Sequence, residues 1–248
     1  MIKLRKKNAE EAMPRVICHM VVSKDGKVTG DFLQASECVA ATELYYELNR
    51  AFEANAFACG RVTMEESFTG GWYPNLERFQ TISISKRDYV ADSKDSRYAV
   101  AFDRRGRLGW KTSHISDEDP GYNKAHIIEV LCETVPDAYL AYLRSIGVSY
   151  IFAGENELDL HLALTKLRSL FGIRTLLLEG GSILNGAFHR AGLIDEVSLV
   201  MAPITASDTD KPLFYNCSNE GYVKTYIQSY DDGMLWIKGK RKDNKKKK

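Results

Sequence analysis

The segment that most constrains the fold runs from Leu176 to Gly186 and is typical of a buried strand that turns directly into a helix. Its three successive leucines, from Leu176 to Leu178, suit a strand that is buried on both faces. Gly180 and Gly181 supply the backbone freedom of a tight strand-to-helix turn, and Ser182 is a residue type that caps helices. Free N–H groups at such a helix start favour an anion, although a Gly-Gly pair is equally compatible with a plain connection.

Length and composition predict one globular domain. The chain has 248 residues, of which 44% are hydrophobic, and neither a linker nor a fixed repeat divides it. We expect an N-terminal extension over residues 1–15, a single domain over residues 16–239 and a basic disordered tail over residues 240–248. No apolar run approaches the roughly 20 residues of a membrane span, and no secretory signal is evident, so neither membrane association nor export is expected.

The net charge of +1 hides an uneven distribution. From Lys238 onward eight Lys or Arg residues face Asp243 alone, and residues 1–15 carry five against two glutamates, which leaves about −9 on the remainder. A nucleic-acid surface requires a contiguous cationic face, so the charge pattern excludes nucleic acid as the partner. We expect the terminal lysines to form a solubilising tail; a binding arm is the alternative.

The five cysteines are widely spaced, and none forms a C-x-x-C pair. This pattern predicts reduced thiols in a cytoplasmic protein, with no metal site.

Apolar runs alternate with amphipathic segments along the chain. Strands are predicted at residues 16–22, 56–59, 81–84, 99–102, 127–131, 148–152, 176–178 and 196–204, and an antiparallel pair at residues 222–227 and 234–238. Helices are predicted at residues 42–55, 136–146, 160–171 and 182–191. The alternation indicates an α/β fold of three layers, α/β/α, with a mainly parallel sheet and antiparallel edge strands.

A second strand-to-helix junction carries an arginine, in the stretch from Cys59 to Ser67. Arg61 could meet a phosphate with its planar guanidinium, and an arginine so placed suits the 2′-phosphate of NADPH. Thr63 adds a hydroxyl at a helix start. In the alternative interpretation Arg61 pairs with a surface carboxylate and Thr63 is merely a cap.

The stretch from Gly60 to Glu65 resembles the Gly-Arg-x-Thr-x-Glu motif of dihydrofolate reductases. Three further stretches, Ser23–Val28, Leu178–Asn185 and Gly192–Pro203, resemble in the same order the reductase domain of riboflavin biosynthesis, the RibD C-terminal domain. The match extends from about Val16 to Lys238.

The resemblance implies a dihydrofolate reductase-like fold, an NADPH cofactor, a homodimer and hydride transfer to C1′ of a ring-opened ribosylaminopyrimidine phosphate. The implied activity is that of a 5-amino-6-(5-phosphoribosylamino)uracil reductase. Two alternatives remain open: a reductase of the same fold for a pterin or another small imine or carbonyl compound, and a nucleotide-binding module without turnover. The predicted cofactor-binding residues are Gly60, Arg61, Thr63, Asp103, Arg104, Gly180, Gly181, Ser182, Ile183 and Leu184.

Three residues at predicted strand ends are candidates for catalysis. Glu179 could accept hydrogen bonds from pyrimidine amino groups, and a pKa raised by burial would let it act as an acid. Asp25 lies on a glycine turn, and His19 faces the same edge of the sheet. Each has a structural alternative: Glu179 could lock its loop, Asp25 could hold its own turn, and His19 could be a satisfied core histidine.

The chain also departs from the riboflavin reductases that it resembles. Glu65-Glu66-Ser67 replaces the Asp-Asp-Pro stretch of many of them, and Asp103-Arg104 stands where they often have Asp-Ser. The zinc deaminase signature is absent, so we expect a reductase domain alone.

Overall fold

A computed structural model describes residues 13–91, 95–218 and 220–242. Within this part the chain divides into two compact units. The first unit contains Ala54–Leu176, and the second contains Arg15–Glu53 and the chain from Leu177 onward. Most of the predicted N-terminal extension and of the predicted basic tail lies outside the described residues, and the predicted domain boundaries stay predictions.

The strands are β1 (Arg15–Val22), β2 (Ala56–Gly60), β3 (Tyr98–Phe102), β4 (His126–Leu131), β5 (Ser149–Phe152), β6 (Thr175–Leu178), β7 (Glu196–Met201), β8 (Tyr222–Ser229) and β9 (Leu235–Arg241). The α-helices are α1 (Val39–Ala51), α2 (Arg61–Met64), α3 (Asp137–Ser145), α4 (Leu160–Phe171) and α5 (Ser182–Arg190).

The first unit is built on four parallel strands in the order β5-β4-β3-β2. Strands β3, β4 and β5 are buried along their whole length, as expected of parallel strands that are covered on both faces. Gly147, with a φ of 73°, ends α3, and Gly172, with a φ of 66°, ends α4. Each glycine lets the chain leave its helix and return to the next strand.

The second unit combines parallel and antiparallel pairing. Strand β7 pairs parallel with β1 and antiparallel with β9, and β8 pairs antiparallel with β9. Buried apolar residues, including Phe32, Ala41 and Val200, form the core between α1 and this sheet. The outer strand β8 is exposed over almost its whole length, as an edge strand can be.

The α/β class, with mainly parallel strands and antiparallel edge strands, is confirmed. The strand predicted at residues 81–84 is wrong: this stretch has no strand pairing and is largely exposed. Its alternating isoleucines imitate a half-buried strand, but Ile82 is 40% exposed and the N–H of Ile84 donates to the carboxylate of Asp137. The helix predicted at residues 42–55 begins and ends earlier, at Val39 and Ala51.

In the part of the chain that the structure describes, no helix is both long enough and apolar enough to cross a bilayer.

Candidate active site

In the first unit, two predicted cofactor-binding segments lie side by side. Gly60, the last residue of β2, pairs in register with Phe102, the last residue of β3. Arg61 and Asp103 therefore follow directly from two paired strands at the carboxyl edge of this sheet. Ligands of parallel α/β sheets bind at this edge, so the register supports a binding role for both segments.

Arg61 forms an ion pair with Glu65, one helical turn further on. Its side chain is 27% exposed. Arg61 therefore does pair with a carboxylate, as its structural alternative predicted. A guanidinium has five N–H groups, however, and one carboxylate does not use them all. Thr63 lies inside α2, while Gly60 occupies the N-cap position and no side chain caps this helix.

Asp103 has a structural role in this segment. It is buried, and its carboxylate accepts hydrogen bonds from the backbone N–H groups of Arg107 and of Leu108, the latter at 2.8 Å. Burial raises the pKa of Asp103, while these N–H groups and the charge of Arg61 act in the opposite direction. Asp103 thus shapes the turn after β3, and this leaves little of its side chain for a ligand.

The turn that Asp103 holds carries three arginines, of which the sequence prediction included only Arg104. Arg104 forms an ion pair with Glu157. Arg105 and Arg107 are exposed. The sequence itself contains the signal that could have identified Arg105 and Arg107. Three arginines within four residues directly after a buried strand are suited to binding a phosphate.

In the second unit, Glu179 follows β6 and is buried, with 6% exposure. Its Oε1 accepts a hydrogen bond of 2.6 Å from Nδ2 of Asn49, which lies on α1. A buried carboxylate needs such partners, and this bond fixes its orientation. Asn49 was missed by the sequence interpretation, because nothing in the pattern connects two residues that are 130 positions apart.

Gly180 and Gly181 form the turn between β6 and α5, and the peptide bond between them is cis. Gly180 has a φ of 99°, and a Cβ atom there would lie 3.3 Å from Cε of Met20, so both conformation and space favour glycine. The first hydrogen bond of α5 runs from the N–H of Asn185 to the carbonyl of Gly181. The N–H groups of residues 182–184 therefore have no partner within the helix.

Ser182 differs from its predicted role as a helix cap. It is the first residue of α5, Gly181 holds the N-cap position, and no side chain caps the helix. The hydroxyl of Ser182 instead donates to the backbone carbonyl of Pro212. Ile183 lies on the first turn of this helix and is 60% exposed.

Asn185 is a further polar residue at this junction. Its side chain is fully buried, and within the described residues neither amide atom has a hydrogen-bond partner. Nδ2 lies 3.9 Å from the position of a Cβ at Gly180. A buried amide without partners is unusual in a folded protein, so Asn185 marks this junction as a place where a polar group could be received.

Asp25 lies on the exposed turn after β1. Its Oδ1 accepts hydrogen bonds from the N–H of Ala206 at 3.0 Å and from Oγ of Ser23 at 2.7 Å, and these bonds lower the pKa of Asp25. The carboxylate thus ties the turn after β1 to the loop after β7. This geometry corresponds to the structural alternative for Asp25.

His19 is completely buried on β1. Its Nδ1 lies 3.1 Å from Oγ of Ser198, its Nε2 lies 3.0 Å from the carbonyl of Tyr45, and its ring stacks on that of Tyr45. Burial lowers the pKa of His19 to about 4, so the ring is neutral. Both ring nitrogens are thus engaged, which favours the core histidine over a substrate contact.

Comparisons with known proteins agree with this architecture. The family model of the RibD C-terminal domain matches residues 14–220. The 2,5-diamino-6-ribosylamino-4(3H)-pyrimidinone 5′-phosphate reductase of Methanothermobacter thermautotrophicus is 40% identical over 202 residues, which cover 79% of this chain and 81% of the relative.

Solved structures show the same fold. A pyrimidine reductase-like protein from Corynebacterium diphtheriae superposes with a TM-score of 0.64 at 16% identity and covers 93% of both chains. RibD from Acinetobacter baumannii superposes with a TM-score of 0.61 at 21% identity, over 94% of this chain and 59% of that longer one. The resemblance drawn from the motifs is therefore confirmed, and the chain belongs to the family of the RibD C-terminal domain, with a dihydrofolate reductase-like fold.

Proposed function

We propose that this chain is an NADPH-dependent reductase of riboflavin biosynthesis, which converts the ribosylamino group of a phosphorylated pyrimidine to a ribitylamino group. The observation that carries the proposal is the 40% identity, over about four fifths of both chains, to a reductase named for such a substrate. An oxidoreductase of this family uses a nicotinamide cofactor. When bound, that cofactor supplies the hydride that reduces C1′ of the ring-opened substrate.

The choice of NADPH over NADH rests on the arginines of the first unit. Arg61 and the exposed Arg105 and Arg107 stand at the carboxyl edge of β2 and β3. The 2′-phosphate is the group that distinguishes the two cofactors, and guanidinium groups bind phosphate oxygens with charge-assisted hydrogen bonds. Asp103 supports this site indirectly, because it holds the turn that carries the arginines.

The start of α5 in the second unit suits an anionic group such as a phosphate. The N–H groups of residues 182–184 are not used within the helix, and the two glycines before them leave room for a close approach to the backbone. The unpartnered amide of Asn185 offers a donor and an acceptor beside the same turn. Gly180, Gly181, Ile183 and Leu184 would therefore act through their backbone, and Ser182 would contribute its N–H alone.

Glu179 is the residue that we assign to the substrate. The hydrogen bond from Asn49 holds one carboxylate oxygen, which orients the group at the end of β6. A carboxylate so held accepts hydrogen bonds from amino groups and repels carbonyl oxygens. Asp25 and His19 then act as positioning residues, the first through the turn after β1 and the second through the core beneath it.

This assignment favours a diaminopyrimidinone substrate over the corresponding uracil. The relative from Methanothermobacter thermautotrophicus is named for a 2,5-diamino-pyrimidinone, which carries an amino group where the uracil has a carbonyl oxygen. An amino group donates to a carboxylate, whereas a carbonyl oxygen has no proton to donate and is repelled by it. We therefore expect the diaminopyrimidinone phosphate to be the better substrate.

The test is a steady-state assay of NADPH oxidation with the diaminopyrimidinone phosphate, the uracil analogue and dihydrofolate. We expect turnover of the two ribosylaminopyrimidines, with the diamino compound preferred, and none of dihydrofolate. Glu179→Gln should lower kcat/KM by about 10-fold or more, the loss expected when a hydrogen bond to a charged group is removed. Glu43→Gln, an exposed substitution on α1, is the matched control.

Two outcomes would contradict the proposal. Reduction of dihydrofolate with no turnover of either pyrimidine would identify a pterin reductase instead. NADPH binding without any turnover would identify a nucleotide-binding module.

We also propose that the enzyme is a cytoplasmic homodimer. All five cysteines are free thiols, and four of them are buried, which supports a reducing compartment. Exposed apolar side chains on β8, among them Val223, Tyr226 and Ile227, support an association surface.

A further inference from the structure

Three side chains with metal-binding atoms converge in the first unit, away from the arginine-bearing edge. Nε2 of His114 lies 3.0 Å from Oδ2 of Asp95, and Nδ1 of His126 lies 3.6 Å from the same oxygen. All three ligand atoms lie within 4.8 Å of one another. His126 begins β4, and Asp95 precedes β3, so this cluster stands at the amino-terminal ends of the strands.

One ligand atom of this cluster is buried without a hydrogen-bond partner in the part of the protein that the structure describes. Nδ1 of His126 is buried without a hydrogen-bond partner, in a side chain that is 1% exposed. The separation of 3.6 Å from Asp95 is longer than a hydrogen bond. A buried polar atom without a partner carries a desolvation penalty, which an ion at this point would remove.

The positions of the ligand atoms fit a tetrahedral ion. With metal–ligand bonds of about 2.0–2.2 Å, two ligands of a tetrahedral zinc site lie roughly 3.3–3.6 Å apart. The two histidine nitrogens lie 3.0 and 3.6 Å from Oδ2 of Asp95, close to this range. Small movements of the side chains would therefore bring all three ligand atoms to bonding distance from one ion. We propose that Asp95, His114 and His126 bind one divalent transition-metal ion such as Zn²⁺, with a fourth position open to water.

The surroundings of the two histidines support ligation. Nε2 of His126 lies 2.8 Å from Oγ of Ser149, and Nδ1 of His114 lies 3.0 Å from Oγ of Ser113. Partners on the far ring nitrogen fix the orientation of a ligating histidine.

The ion has a structural role, because ligands of α/β sheets bind at the opposite, carboxyl edge. It links the segment before β3 to the start of β4 and to the bridge that His114 forms with His126. The absence of C-x-x-C pairs predicted no metal site, and a site of two histidines and an aspartate contradicts that prediction. Ligands spaced by 19 and 12 residues form no recognisable motif. The pairing of β3 with β4 and the antiparallel bridge between His114 and His126 bring them together.

The test uses the full chain without a histidine tag, treated with a chelator and then titrated with Zn²⁺ by calorimetry. Co²⁺ serves as a second, spectroscopic probe of coordination geometry. We expect one ion per chain, and a Tm that rises by about 5–10 °C when free Zn²⁺ is 100 times the Kd. Asp95→Asn and His114→Ala should each abolish the shift, while His161→Ala, an exposed histidine of α4, should retain it.

Two results would overturn the proposal. One is the absence of stoichiometric binding by the unsubstituted chain. The other is unchanged binding in the two ligand variants. Circular dichroism of each variant verifies folding, and His114 is 39% exposed, so its replacement leaves the core intact even if Asp95→Asn disturbs the neighbouring segment.

Discussion

At the scale of single residues, several polar groups are buried where the sequence gives no sign of it. Glu129 of β4 is fully buried. Its Oε1 accepts hydrogen bonds from the indole of Trp110 and from the hydroxyl of Tyr139, and within the described residues Oε2 has no partner. Burial and the charge of Asp103 raise the pKa of Glu129 well above its usual range. Burial in the folded protein therefore favours the protonated form of this carboxyl group over the ionised form.

A raised pKa in the folded state makes stability fall as the pH rises, because the unfolded chain releases a proton that the folded chain keeps. The loss begins near the unfolded pKa of about 4.3 and amounts to about 1.4 kcal/mol per pH unit. Glu129→Gln cannot titrate. As the pH rises above about 4.3, its free energy of unfolding, relative to the unsubstituted protein, should therefore increase, by at most about 1.4 kcal/mol per pH unit.

Urea unfolding of both proteins at several pH values measures this difference. The control is Glu133→Gln, an exposed residue just after β4, which should follow the unsubstituted protein at every pH. Parallel curves for Glu129→Gln and the unsubstituted protein would show that Glu129 is ionised in the folded state.

At the scale of elements, the strand-to-helix junctions were predictable and the long connection between β2 and β3 was not. Runs such as Leu176–Leu178, ended by glycine, have few alternatives to a buried strand followed by a turn. Residues 81–84 have the alternation of a strand but no partner strand to bury them. Periodicity describes which face of a segment is apolar, and only the tertiary structure decides whether a surface exists to cover that face.

The junction after β2 provides a prediction on cofactor choice. Arg61→Ala should raise the KM for NADPH by about 10- to 100-fold and leave the KM for NADH nearly unchanged, because only NADPH carries the 2′-phosphate. Steady-state kinetics with both cofactors provide the measurement. Arg174→Ala, an exposed arginine of the same unit, should change neither value. Equal losses with both cofactors would indicate that Arg61 acts through the fold, by its ion pair with Glu65.

At the scale of the whole molecule, the proposed homodimer depends on the exposed edge strand β8. Ile227 is 43% exposed on one face of this strand, and Tyr226, at 42%, is exposed on the other. Exposed apolar clusters on an edge strand commonly mark an interface. Ile227→Lys introduces a charge that association would have to desolvate, so we expect a shift from dimer to monomer.

Light scattering coupled to gel filtration, over a range of concentrations, measures this shift. Val90→Lys, an equally exposed apolar position in the first unit, is the control and should stay dimeric. A monomeric unsubstituted protein, or a dimer that Ile227→Lys leaves intact, would contradict the assignment of β8.

The sequence by itself determined the α/β class, the glycine junctions and the family, because these depend on local pattern and on short contiguous motifs. The tertiary structure decided which polar residues are buried and what they contact. Asn49 reaches Glu179 across 130 positions, His19 is satisfied within the core, and His126 meets Asp95 at the start of two strands. Burial and distance arise from the packing of segments that are remote in the chain, and a local pattern contains no information about either.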